Sequence, residues 1–372
     1  MLKKTIRRLG ALAMVLAMAV SVFAVNASAA TESNKPSPTL TKVIEKEENV
    51  YLPTTTFEFE AVDGRASDDT VAAAPAVKDV FKKATAESNV VASIDIAPTE
   101  DTLASKAVTK TVDIEINEDK VPVGVFYYTI KEKNGEYDGM KYDTTTEKTF
   151  VIMKDNEGNV TYGFVAWNDQ TKAWEKSANN TFTNKYMDDG KDHKGPHDLM
   201  LKKLVEGKAY DKNLSYKFYV TITNKNAPAV EWYKIVRTNA TSTTEEKIVA
   251  GVPTEITVAK DETVTIKGLS PQDTYIVEEA DYTGAAYKYE VPTATKKVGD
   301  NTAINLTLTK KKDTFASDSV TMGDANNTVT VTNKKDFATP GGVIMTIAPY
   351  ALMLVVAGAF AVVFLSRRNR AE

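Results

Sequence analysis

Three residue types recur in the same order at two places in the chain: a lysine, a glutamate and an asparagine. The first set is Lys42, Glu132 and Asn184, and the second is Lys203, Glu279 and Asn333. The local contexts repeat as well. Lys42 lies in Thr39-Leu40-Thr41-Lys42-Val43-Ile44 and Lys203 in Leu199-Met200-Leu201-Lys202-Lys203-Leu204-Val205. Each glutamate closes a Tyr-x-x-x-Glu run, Tyr128 to Glu132 and Tyr275 to Glu279. Each asparagine sits in Thr-x-Thr-Asn-Lys, Thr181 to Lys185 and Thr330 to Lys334.

These three side chains can make an amide. Burial disfavours charge, so it lowers a lysine pKa and raises a glutamate pKa until the pair can exist as neutral amine and neutral acid. The amine can then attack the asparagine side-chain carbonyl, while the acid polarises that carbonyl and shuttles protons as ammonia leaves. A third Thr-x-Thr-Asn-Lys, Thr221 to Lys225, runs into Asn226-Ala227-Pro228 and reads as a strand end, so the pentapeptide alone is weak evidence.

Strands must position these groups. Side chains two apart share a face of a strand. Leu40, Lys42 and Ile44 therefore share one, as do Leu199, Leu201, Lys203 and Val205. Ile130 shares with Glu132, Val277 with Glu279, Phe182 with Asn184, and Val331 with Asn333. Each polar residue thus falls on a face with apolar neighbours, where it is costly unless the three satisfy one another. Further strands are expected at Thr55–Val62, Thr111–Ile116, Thr149–Met153, Val160–Trp167, Tyr216–Thr223, Val230–Arg237, Glu255–Val258, Glu262–Lys267 and Ala303–Leu308. A short helix is expected within Ala76–Glu87. Short strands broken by turns such as Asn134-Gly135 and Asp138-Gly139 predict an all-β protein of two tandem β-sandwich domains, residues 39–187 and 198–336, joined by a linker at 188–197.

The two ends read differently. Lys3, Lys4, Arg7 and Arg8 precede an apolar run and small residues at Ala27 to Ala30, the pattern of a signal peptide over residues 1–30. Val343 to Leu365 carries no charge and is long enough to span a bilayer, and the basic Arg367, Arg368 and Arg370 that follow are expected on the cytoplasmic side. The body is therefore expected outside the cell. Without the two ends the net charge of −4 becomes −10, which argues against a nucleic-acid partner. There is no cysteine, so a covalent staple cannot be a disulfide. His193 and His197 are the only histidines, and Gly195 and Pro196 between them favour a polar linker over a metal site. Trp167, Trp174 and Trp232 read as core or rim aromatics. No phosphate loop or Ser/Cys/His catalytic arrangement appears, so neither a cofactor nor an enzymatic activity is expected beyond the self-crosslinking.

The chain resembles the backbone pilins of Gram-positive sortase-assembled pili, of the streptococcal type with two isopeptide-linkage domains. The resemblance is clearest at Tyr127 to Glu132, at Lys141-Tyr142-Asp143-Thr144-Thr145 and at Asn333-Lys334-Lys335-Asp336-Phe337. It implies immunoglobulin-like domains, each with a self-formed Lys–Asn bond promoted by Glu132 or Glu279. It also implies a sorting signal before the apolar tail (337–372), here Ala338, Thr339, Pro340, Gly341 and Gly342. Gly341 stands where the family pattern has Thr, and which bond is cut, Gly341–Gly342 or a neighbour, stays open. The acceptor lysine for the next subunit would lie just before the last strand of the first domain, where Lys176 is the nearest candidate and Lys172 the reserve. Implied partners are a sortase, other copies of the chain, tip or base pilins and cell-wall peptidoglycan. A wall-anchored adhesin that never polymerises would share the same domains.

Overall fold

The computed structural model describes residues 38–67, 73–99, 102–225, 230–237 and 246–337 of the 372. The expected signal peptide, sorting signal, apolar tail and the Asn226–Pro228 turn lie outside the described residues. Among those described, no helix is long and apolar enough to cross a membrane.

The first nine strands are β1 (Thr39–Lys46), β2 (Thr55–Ala66), β3 (Val90–Ile96), β4 (Ala107–Asp113), β5 (Gly124–Glu132), β6 (Glu147–Lys154), β7 (Val160–Asn168), β8 (Ala173–Lys176) and β9 (Thr181–Tyr186). They form a three-stranded sheet, β4-β1-β9, and a six-stranded sheet, β3-β2-β5-β6-β7-β8. Rings from the two sheets meet between them, as at Phe59 and Phe182, 5.1 Å apart. The next thirteen strands are β10 (His197–Glu206), β11 (Tyr216–Thr223), β12 (Trp232–Arg237), β13 (Lys247–Val249), β14 (Thr254–Val258), β15 (Thr263–Leu269), β16 (Thr274–Ala280), β17 (Thr293–Val298), β18 (Ile304–Leu306), β19 (Leu308–Lys310), β20 (Thr314–Ser317), β21 (Val320–Thr321) and β22 (Asn327–Lys334). Seven make one sheet, β13-β12-β15-β10-β22-β17-β18, and β14-β11-β16-β20-β19 with β21 beside β16 make the facing one.

The alternation read from the sequence is the burial observed. β1 alternates strictly between half-buried and buried positions, and β10 and β22 do the same over most of their length. In each half the first and last strands are neighbours and run parallel, β1 beside β9 and β10 beside β22. The register also repeats: Ile44 faces Asn184 and Val205 faces Asn333, so the asparagine lies opposite the residue two beyond the lysine in both.

Several elements differ from expectation. The helix is a single turn, α1 (Val77–Val80). Between that turn and β4 lies β3, whose burial alternates only in its second half. β4 ends at Asp113, and Glu115 and Ile116 fall beyond it. The strand expected at Ala303–Leu308 is broken into β18 and β19, which belong to different sheets. The short strands β8, β13, β17, β20 and β21 carry too little alternation to register as strands in the sequence.

The halves touch. Tyr51 meets Trp232 edge-on at 5.6 Å, and the Tyr186 hydroxyl lies 3.1 Å from Ser270 Oγ. Lys267 Nζ donates to Glu47 Oε2 at 3.3 Å across the junction and to Asp198.

Candidate functional site

In both sandwiches the lysine and asparagine come from the paired first and last strands of one sheet. The glutamate reaches them from a strand of the facing sheet, β5 or β16. Lys42, Asn184 and Lys203 are 0% exposed, Glu279 and Asn333 1%, and Glu132 4%. Lys202 and Glu278, their neighbours in sequence, are only half-buried, as the alternation requires.

In the first domain Lys42 Nζ donates to Glu132 Oε2 at 2.6 Å and Asn184 Nδ2 to Glu132 Oε1 at 2.7 Å. The glutamate thus bridges the two strands with one oxygen for each. The Asn184 carbonyl oxygen accepts the Asp143 backbone N–H at 2.8 Å. Asp143 is itself held in place, since its carboxylate accepts the Thr183 and Thr146 N–H groups at 3.1 Å each. Lys42 Nζ lies 4.9 Å from the Phe57 ring centroid.

In the second domain one oxygen does both jobs. Glu279 Oε1 takes Lys203 Nζ at 3.0 Å and Asn333 Nδ2 at 3.2 Å. Among the described residues Glu279 Oε2 and the Asn333 carbonyl oxygen have no hydrogen-bond partner. Lys203 also donates to the Val331 carbonyl at 3.2 Å and sits 4.6 Å from the Tyr216 ring centroid.

Burial dominates the acid–base balance. Desolvation lowers Lys42 and Lys203 to about 8, against the opposing pull of their glutamates. Desolvation likewise raises Glu132 and Glu279 despite the lysines beside them. Both pairs are therefore pushed towards amine and acid, the forms that can attack and protonate.

Residues 38–187 match the family of the Spy0128-like isopeptide containing domain. The first domain belongs to that family. Residues 197–335 match a family described only as a domain of unknown function, DUF7601. A curated relative, "Pilin" of Streptococcus pyogenes serotype M1, is 27% identical over 278 residues, covering 70% of this chain and 73% of the relative. The solved major pilin of Streptococcus pyogenes is similar over 82% of this chain and 100% of its own, at 20% identity and a TM-score of 0.47. The T-13 major pilin of serotype GAS131465 covers 81% and 98%, at 18% identity and a TM-score of 0.50, a likeness of fold. The chain thus resembles streptococcal pilins, which are structural proteins rather than enzymes.

Lys46 was not singled out from the sequence, and Asp143 entered only within the Lys141–Thr145 run that carries the resemblance, without a role at the site. Lys46 shares the inner face of β1 with Lys42 and is 2% exposed. The same parity that found Lys42 could have found it. It has neither glutamate nor asparagine: its Nζ donates to the Glu47 and Leu103 carbonyls at 3.1 Å, which fastens the strand end. Asp143 acts through its backbone, and nothing in its spacing to Asn184 signals that.

The remaining candidates are not gathered here. Lys176 is exposed at the end of β8, and Lys172, with a φ of 51°, pairs with Asp169 in the turn before it. His197 begins β10, one position earlier than the second domain was expected to start, and lies 3.9 Å from Asp188. Among the described residues no three metal-ligating side chains cluster. Asn224 of the third pentapeptide falls just past the end of β11 and donates to the Val230 carbonyl.

Proposed function

We propose that the chain is the shaft subunit of a covalently polymerised cell-surface pilus, built of two immunoglobulin-like β-sandwich domains that each close on themselves through a Lys–Asn isopeptide bond. The observation that carries this reading is the recurrence, in both domains, of a buried Lys–Glu–Asn set on parallel first and last strands in one register.

Within each pair a proton passes from the lysine ammonium to the glutamate. The neutral Nζ attacks Cγ of Asn184 or Asn333. The acid gives its proton to Nδ2, the Cγ–Nδ2 bond breaks and ammonia leaves, while the glutamate takes the surplus proton from Nζ, so that an Nζ–Cγ amide and a protonated glutamate remain. The glutamate faces the amide nitrogen in both domains, which suits protonation of the leaving group. In the first domain the Asp143 N–H faces the oxygen on which negative charge develops. That replaces the carbonyl-polarising role expected of the acid there. In the second domain the Asn333 oxygen meets no such donor among the described residues. Turning its amide over would present the oxygen to a protonated Glu279, which would then serve both roles.

In the same reading residues 1–30 direct export and 337–372 hold the precursor in the membrane. A sortase cuts within Ala338 to Gly342 and joins the new C-terminus to Lys176 of the next copy. The finished polymer, with tip or base pilins, is attached to peptidoglycan. Intact-mass measurement of the mature chain tests the crosslinks. The expected result is a deficit of two ammonia masses, with one restored by Lys42→Ala and one by Asn333→Ala, whereas an unshifted wild-type mass would sink the reading. Immunoblots of cell-wall extracts test polymerisation, where a high-mass ladder is expected and a single band would favour an unpolymerised surface adhesin.

A further inference from the structure

One face of the six-stranded sheet in the first domain lines the sandwich core, and its other face should be polar if it met only water. Over β2 and β3 it is, with Glu58, Glu60, Ser93 and Asp95, but over β5–β8 Val125, Val151 and Val165, at 2–3% exposure, form a separate apolar cluster, packed by Tyr127, Met153 and Trp174. The aromatic rings continue to the sheet edge. Tyr127 and Trp174 lie 5.1 Å apart, and Trp174 and Trp167 5.6 Å, with Trp167 left 47% exposed. Lys176 pairs with Val165, and Trp174 with Trp167, so the lysine shares this face. It follows Trp174 by two residues on the edge strand β8, about 7 Å along it.

At the far end of the chain, Phe337 is 70% exposed, the most exposed of the large hydrophobic side chains described. It stands four residues before Gly341. An extended chain covers about 3.5 Å per residue, so a C-terminus cut anywhere from Ala338 to Gly341 and joined to the next copy's lysine leaves Phe337 within about 14 Å of the amide.

We propose that the Tyr127–Trp174–Trp167 shelf is the docking surface for Phe337 of the preceding subunit in the polymer. The inference rests on the reading of Lys176 as acceptor. A tether this short raises the effective concentration of Phe337 at the shelf to the millimolar range, so even a weak aromatic contact is occupied. The occupant is a second copy, because the covalent join delivers that segment and no other to this edge. Trp167 is the side chain with the most area left to cover.

The test replaces Phe337 with photoreactive benzoyl-phenylalanine in full-length chain co-expressed with its sortase. Illuminated pili are then mapped by peptide mass spectrometry. Crosslinks to the peptides carrying Trp167 or Trp174, reduced about tenfold by Trp167→Ala while the Lys176 linkage peptide persists, support the docking. A Lys176 linkage with crosslinks elsewhere overturns the docking and leaves the polymer reading standing. A ladder joined through another lysine overturns the docking and the acceptor assignment together. Absence of any ladder removes the polymer reading as well.

Discussion

The two Lys–Glu–Asn sets use the same three residues in the same register, yet the strand beside the asparagine differs. In the second domain β22 is flanked on its outer side by β17, in regular antiparallel register from Thr293–Thr332 to Val298–Asn327. A regular strand directs its N–H groups to backbone carbonyls, and among the described residues the Asn333 oxygen stays unpaired. In the first domain β9 is the last strand of its sheet. The irregular segment around Lys141 to Asp143 closes that edge: Lys141 and Lys185 exchange backbone bonds at 2.8 and 3.0 Å, and the Asp143 carboxylate takes the Thr183 N–H in place of a carbonyl. Leaving strand geometry frees the Asp143 N–H for the Asn184 side chain. An irregular edge thus supplies a donor that a regular strand does not.

Removal of either crosslink is the widest test, because there the two domains should behave alike. Each proposed bond would close a loop of well over a hundred residues, and on the analogy of a disulfide each would constrain the unfolded chain by ~4–5 kcal/mol. Asn184→Ala and Asn333→Ala should each lower the denaturant midpoint of their own domain by a corresponding amount, and an unchanged midpoint in either would show that domain uncrosslinked. The acid comes next. Glu132→Gln and Glu279→Gln should slow ammonia loss by about 10²–10⁴-fold, with the larger effect at Glu279, where no backbone donor assists. Timed intact-mass measurement of freshly synthesised chain reads both, and equal losses would break the distinction between the centres.

Asp143→Ala isolates the difference itself. It releases the bonds to Thr183 and Thr146 that hold the donor, and should slow bond formation in the first domain roughly tenfold while leaving the second unchanged. Parallel slowing in both would point to a folding defect instead. The dependence on pH follows from the paired titration. The competent state carries one proton shared by lysine and glutamate. Below the raised glutamate value a second proton occupies the pair and no neutral amine remains. Above the lysine value of about 8 the shared proton is lost and ammonia has no acid to take it from. The rate in each domain should therefore be bell-shaped and fall on the alkaline side beyond about 8, and a rate that keeps rising would mean the acid is not required. The smallest expected effect is none: Asn224→Ala, in the third Thr-x-Thr-Asn-Lys, should leave the ammonia count unchanged in the same mass measurement.

The sequence alone carried the strand character of β1, β5, β9, β10, β16 and β22 and the inward side of Lys42, Glu132, Asn184, Lys203, Glu279 and Asn333. The pleat has a period of two, so local alternation decides which face a residue takes. Parity favoured Lys203 over Lys202 and Glu279 over Glu278, although Met200 and Leu204 make the other face of β10 apolar too. The pairing of first with last strands in parallel, the placement of each glutamate on the facing sheet and the aromatic shelf beside Lys176 were decided by the tertiary structure. Those arrangements join residues far apart in the chain, and no local period records them. The Asp143 donor is the sharpest case: it is a backbone N–H, which every residue but proline carries, so only the path of the folded chain at the edge of β9 distinguishes it from any other.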